Sequence, residues 1–97
     1  MNPTCGALRK PMKFYYVYVL KSLVKEFIYI GYTENLRNRL SEHNLGQNTS
    51  TKSYLPFEII HYEAYRNMTD AKRREKYLKG NKGKTTLKTM LKEFLKT

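Results

Sequence analysis

Three residues with phosphate chemistry stand along this chain at suggestive positions. Arg39 and His43 stand four apart in ENLRNRLSEHN, so a helix there places them on one side, about one turn from each other. A guanidinium binds two phosphate oxygens in a planar fork, and an imidazole donates a hydrogen bond or moves a proton. Alone, the pair reads more readily as a solvated helix face. Glu75 lies in AKRREKYLK, where Ala71 and Leu78 fall on neighbouring helical positions, so its carboxylate belongs at the margin of a buried face. Such an acid is either neutralised by Lys72, Arg74 or Lys79 or available as a hard oxygen ligand for a divalent metal. One carboxylate with substrate phosphate and water suits Mg²⁺; it is a poor calcium or zinc cage.

Other motifs carry less. GNKGKT at Gly80 to Thr85 lacks the spacing of a Walker A loop, because the position five residues before Gly83 is Leu78. Its Gly80 to Gly83 portion copies the GXXG of the KH module without that module's element order. The run is expected to be a basic turn between helices. His61, in mid-strand, reads as structural.

These residues need elements to hold them. FYYVYVL at 14–20 and FIYIGY at 27–32 are dense in β-branched and aromatic types, and the short intervening segment suits an antiparallel hairpin. Period two puts Tyr16 and Tyr18 on one face, opposite Val17 and Val19, with Tyr29 and Gly31 opposite Ile28 and Ile30. Pairing Tyr18 with Tyr29 would close a loop at Ser22 to Lys25 and put both tyrosines on one face. Thr33 as N-cap and Gly46 as stop predict a helix over 34–45. A polar loop over 46–56 precedes a third strand, FEIIHYEAY at 57–65. Asn67 or Thr69 caps a helix to about Leu78, and Leu87, Met90, Leu91, Phe94 and Leu95 recur with helical period as an amphipathic helix against the sheet. The expected fold is α+β, a small three-stranded antiparallel sheet flanked by helices in the order ββαβαα.

At 97 residues there is room for one core and no second domain, since a chain of this size buries only about 60–65% of its unfolded surface. Residues 1–12 fit neither period and read as a tail, leaving 13–97 as the domain. Met12 directly precedes the first strand and is a candidate start of translation, which would remove Arg9 and Lys10. One cysteine, Cys5, and two histidines exclude an internal disulfide and a structural zinc set. The opening MNPTCGALRKP is too polar for a secretory signal, and every apolar run is too short to span a membrane. A soluble, cytoplasmic protein is expected. Nineteen Lys and Arg against eight Asp and Glu give a net charge of +11, which concentrates polyanions at the surface. Nucleic acid is the leading partner, ahead of an acidic membrane surface or no partner at all.

Taken in order, these residues resemble the GIY-YIG nuclease superfamily. YVY at Tyr16 to Tyr18 is followed ten residues later by YIG at Tyr29 to Gly31, then by Thr33, LRNRL with Arg39, His43, and RRE with Glu75. The likeness covers about residues 14–80 and is nearest to short stand-alone members related to the N-terminal nuclease domain of the excision-repair endonuclease. Tyr16 replaces the family's first-motif glycine, as is common in short members, and the asparagine that homing-type members place after the glutamate has no clear counterpart beyond nearby Asn81. The resemblance implies metal-dependent cleavage of DNA phosphodiesters with Mg²⁺ or Mn²⁺. It makes Tyr18 the general base or water-orienting phenol, Tyr29 its partner, Arg39 the phosphate clamp, Glu75 the single metal ligand and His43 a proton relay or phosphate contact. Lys72, Arg73, Lys79, Lys82 and Lys84 would hold nucleic acid, with a protein partner for targeting. The competing readings are a nucleic-acid-binding module without catalysis and a basic adaptor.

Overall fold

The computed structural model describes residues 12–96. The proposed tail, apart from Met12, lies outside these residues.

Strand β1 (Tyr15–Ser22) is central in a three-stranded antiparallel sheet of order β2-β1-β3, with β2 (Ile28–Thr33) and β3 (Phe57–Tyr65) at the edges. Helix α1 (Leu36–Asn44) joins β2 to a loop with one 3₁₀ turn at Lys52–Tyr54; α2 (Met68–Lys79), α3 (Asn81–Met90) and a single-turn α4 (Lys92–Leu95) follow β3. The expected α+β class and ββαβαα order hold, with a short extra helix at the end.

The alternation of β1 builds two cores. Val17 and Val19, fully buried, join Ile30 against Ala71 and Leu78 of α2 and Leu87 of α3. On the reverse face Tyr18, Leu20 and Phe57 meet Leu36 and Leu40 of α1 and Tyr54 and Leu55 of the loop. A fully buried aliphatic side chain contributes about 1.5–3 kcal/mol, so α2 is clamped to the sheet through Leu78, while α1 holds on through half-buried Leu36 and Leu40 and buried His43. The two faces therefore present separate helices to one strand. Between Val19 and Leu20 the pairing with β3 slips by one residue. The extra residue, Ile60, therefore lies on the Val19 side together with its neighbour His61, and Ile59 passes to the Leu20 side.

Four local expectations are corrected. Tyr18 pairs with Gly31 and Leu20 with Tyr29, so the register differs by two residues from a Tyr18–Tyr29 pair. A slip of two preserves which face each side chain takes, so both tyrosines still share one. The longer loop is fixed by Ser22, whose buried hydroxyl accepts from the Val24 and Lys25 amides at 3.2 and 3.0 Å and donates to the Tyr54 carbonyl at 2.7 Å. The N-cap of α1 is Asn35, not Thr33: Asn35 accepts from the Asn38 amide at 3.0 Å, while Thr33 Oγ1 accepts from the Asn35 amide at 3.1 Å. GNKGKT is no extended turn. Only Gly80 lies between helices, and the rest is the first turn of α3. Gly83 is buried there because a β-carbon would collide with the Tyr77 carbonyl and the Leu78 α-carbon. Lastly, the C-terminal amphipathic run breaks at Leu91 into two helices instead of one.

Glu63 on β3 organises the α2 face. Arg74 donates to it from Nε at 2.9 Å and from a terminal nitrogen at 3.2 Å, Tyr65 donates at 2.7 Å, and His61 contacts it at 2.9 Å. Burial opposes ionisation of Glu63, but these partners override it and hold the carboxyl at about 2. Arg74 is thereby committed to Glu63 rather than Glu75.

Candidate active site

Tyr18 projects from the middle of β1 beneath α1, with a residue exposure of only 1%. Its phenol stands 3.0 Å from His43 Nε2, and both side chains are buried. Tyr29 completes a cluster of three rings, its centroid 5.0 Å from that of His43 and 6.2 Å from that of Tyr18. Gly31, opposite Tyr18, is needed for this arrangement, since a β-carbon there would overlap the phenol itself.

Helical spacing places Arg39 one turn before His43, near enough for its positive charge to act on Tyr18. Its Nε is 3.1 Å from Glu42 Oε1. Arg39 lines a shallow, polar groove of about 300 Å³ with Tyr32, Thr33, Asn35, Asn38 and Glu42. An anion entering that groove meets a half-buried guanidinium in a fork geometry suited to phosphate.

Burial, then Tyr29, pushes the Tyr18 phenol up to about 12; Arg39 opposes the rise and Glu75 adds to it. Burial and the Arg39 charge hold His43 below the ordinary imidazole value, against a smaller opposite effect of Glu42. The pair is therefore a protonated phenol against a neutral imidazole near pH 7.

Glu75 approaches from α2, near enough for its charge to act on Tyr18. Its Oε2 is 2.9 Å from Lys79 Nζ, so of the three cations considered as its neutralising partner Lys79 is the one in contact. Among the described residues no three His, Cys, Asp or Glu side chains group into a metal cage. A lone, one-fifth exposed carboxylate still fits a divalent cation of the Mg²⁺ or Mn²⁺ kind, which takes one or two carboxylates and completes its shell with phosphate and water.

The five basic residues do not converge on one spot. Lys72 and Lys79 flank Glu75 on α2, with Lys72 Nζ 4.9 Å from the Tyr32 ring centroid. Arg73, bonded to Asp70 at 3.1 Å, shares a groove with Lys82. Lys84 borders a separate apolar groove between β2 and α3.

Sequence reasoning missed Thr51. Its side chain is fully buried, with Oγ1 2.8 Å from His43 Nδ1. It also missed Asn44, which brackets the Phe57 backbone by accepting from its amide at 2.7 Å and donating to its carbonyl at 3.2 Å. Both lie in polar stretches where such residues carry no pattern of their own; the only hint was a histidine that needed a second hydrogen-bond partner.

The β2-β1-β3 sheet with its helices is consistent with one class of domain, which likeness to known proteins identifies. Residues 14–88 match the GIY-YIG catalytic domain, and the chain belongs to that family. Such domains act on nucleic acid and generally use a divalent metal. The chain is also similar to UPF0213 proteins, among them one from Natronomonas pharaonis, 38% identical over 66 residues that cover 67% of this chain and 76% of the relative. Another, from Pediococcus acidilactici, is 35% identical over 77 residues, covering 76% and 78%. A third, from Clostridium perfringens, is 37% identical over 65 residues, covering 66% and 69%. Their names state no activity. No solved structure matches. Among the described residues no helix is long and apolar enough to cross a membrane.

Proposed function

We propose that this protein is a metal-dependent endonuclease that hydrolyses phosphodiester bonds in DNA, with Tyr18, Tyr29, Arg39, His43 and Glu75 as its site, and that it serves repair or recombination in the cytoplasm. The observation that carries the reading is the 3.0 Å contact between the Tyr18 phenol and His43 Nε2 under Arg39. A phenol held at about 12 does not ionise by itself near neutral pH. It can take a proton from water only while handing its own to a neutral acceptor, and His43, kept neutral by burial, is that acceptor. Water oxygen then bonds to phosphorus as the leaving P–O bond breaks. Arg39 binds the non-bridging oxygens and stabilises the charge that accumulates on the pentavalent phosphorus, a contribution of several kcal/mol in comparable sites. Tyr29 packs on His43 and positions the nucleophile's side of the site. Substrate reaches Tyr18 along Arg39 and Tyr29, which are only partly buried. Glu75 would hold the divalent ion, which supplies Lewis-acid neutralisation of phosphate oxygens when bound. Lys72, Arg73, Lys79, Lys82 and Lys84 supply the sequence-independent attraction to the strand.

The test is nicking of supercoiled, flap and junction DNA with Mg²⁺ or Mn²⁺. Glu75→Ala is expected to abolish nicking while DNA binding survives; retained cleavage overturns the metal role. One observation favours a second reading, a binding module without catalysis: the Glu75 carboxylate is bonded to Lys79. That reading predicts salt-sensitive association with DNA or RNA and no cleavage with any metal.

A further inference from the structure

The loop between α1 and β3 is folded so that one hydroxyl reaches the rear of the Tyr18–His43 pair. Asn48 Oδ1 accepts from the Ser50 amide at 2.9 Å, and the Asn48 carbonyl accepts the amides of Thr51 and Lys52, each at 3.1 Å. This double turn drives the Thr51 side chain inward until it is fully buried. There Oγ1 donates to the Asn48 carbonyl at 3.4 Å and lies 2.8 Å from His43 Nδ1.

A hydroxyl has one proton. With that proton directed at a carbonyl, Thr51 Oγ1 can only accept from the imidazole, so Nδ1 carries hydrogen and Nε2 presents a lone pair. The Tyr18 phenol, 3.0 Å from that lone pair, then donates its proton to it.

We propose that Thr51, held by the Asn48 turn, is a positioning residue that fixes His43 as its Nδ1–H tautomer, so that Nε2 is the acceptor of the Tyr18 proton. The proposal rests on the nuclease reading for its catalytic meaning but not for its geometry. In the proton step, the Tyr18 O–H bond breaks toward Nε2 as a new O–H bond forms with a proton of the attacking water. His43 becomes an imidazolium whose Nδ1–H stays on Thr51, and its charge is faced by Tyr18 and Tyr29 from the sheet and by Arg39 and Glu42 from its own helix. Without the Thr51 hydroxyl either tautomer is allowed, and a population with hydrogen on Nε2 cannot receive the proton.

The first measurement is an NMR correlation spectrum of the ¹⁵N-histidine-labelled protein near neutral pH, with His61→Gln separating the two imidazoles. Hydrogen on Nδ1 of His43 is expected; hydrogen on Nε2 overturns the proposal and needs no variant to do so. Thr51→Val, which keeps the shape without the hydroxyl, is expected to mix the tautomers and lower kcat about 10–100-fold with little change in KM, the range seen when a residue orienting a histidine is removed. Thr51→Ser restores both the tautomer and the rate. A Thr51→Val protein with an unchanged tautomer and rate overturns the assignment. If no substrate is cut by the unsubstituted protein, the nuclease reading falls, while the spectrum still decides the role of Thr51.

Discussion

The Tyr18 ring occupies the space in which residue 31 would carry a side chain. A β-carbon on Gly31 would stand 2.8 Å from Tyr18 Cε1 and closer still to its hydroxyl. Tyr18 cannot yield, because His43, Tyr29 and the core around Leu20 and Phe57 enclose it. Gly31→Ala is therefore expected to break the Tyr18–His43 hydrogen bond and to destabilise the fold by about 1–3 kcal/mol, as overpacking of a close-packed site does. Urea unfolding followed by far-UV circular dichroism measures the stability. A variant as stable as the parent, with the His43 resonances unmoved, would contradict the packing described.

Acid stability follows from two groups. Glu63 has a folded value near 2 against 4.5 for an ordinary glutamate, so the unfolded chain binds its proton first as pH falls. Its contribution is complete above pH 4.5 and is lost between there and about pH 2; with 16% side-chain exposure, this amounts to about 3 kcal/mol. His43 is depressed below its ordinary 6.5, so stability also begins to fall as pH drops through 6.5, where the unfolded imidazole takes up a proton that the folded one refuses. A fall in Tm starting below pH 6.5 and steepening below 4.5 is expected. Glu63→Gln should be less stable at pH 7 and show a flatter decline in the lower range.

These two groups also show where the sequence is readable and where it is not. Alternation along FYYVYVL identifies the two faces of β1, and the four-residue spacing of Arg39 and His43 identifies one side of α1, because both follow from backbone period. The partners of Glu63 come from residues 61, 65 and 74, and no period links them. The hairpin register depends on competition between loop lengths that differ by little energy; Ser22 decides it with hydrogen bonds to Val24, Lys25 and Tyr54. Thr33 and Asn35 are both competent caps, and only their mutual contact shows which one is left for α1. Thr51 is invisible for a similar reason, since its importance comes from the direction in which the Asn48 turn points it.

Nucleic-acid association should separate the basic residues by position. Lys82 and Arg73 share one groove, whereas Lys84 borders another beside Leu87 and Lys88. If the strand passes along the Arg73–Lys82 groove, Lys82→Ala weakens binding and lowers the slope of log affinity against log salt by about 0.7–0.9, one phosphate contact. Lys84→Ala should then leave that slope unchanged. Fluorescence anisotropy with a labelled oligonucleotide across a salt series distinguishes them, and equal effects from both variants would mean a track other than this groove.

Lys79 gives the sharpest test of Glu75. The pair is an i,i+4 contact in the favourable Glu-before-Lys order, 2.9 Å long, with Lys79 half exposed. Contacts of this kind are worth about 0.3–0.5 kcal/mol, so Lys79→Met should scarcely alter stability. Its effect on a divalent ion should be visible, because the ammonium and the metal compete for one carboxylate. Removing the ammonium frees that competition energy, which lowers the Mn²⁺ concentration for half-maximal cleavage by about twofold. The same substitution also deletes one cationic contact with the strand, so the metal titration must be run at saturating DNA, where that loss does not reach kcat. An unchanged or higher Mn²⁺ requirement, in a variant whose stability is unaltered, would separate Glu75 from the metal and return it to the role of a helix-surface ion pair.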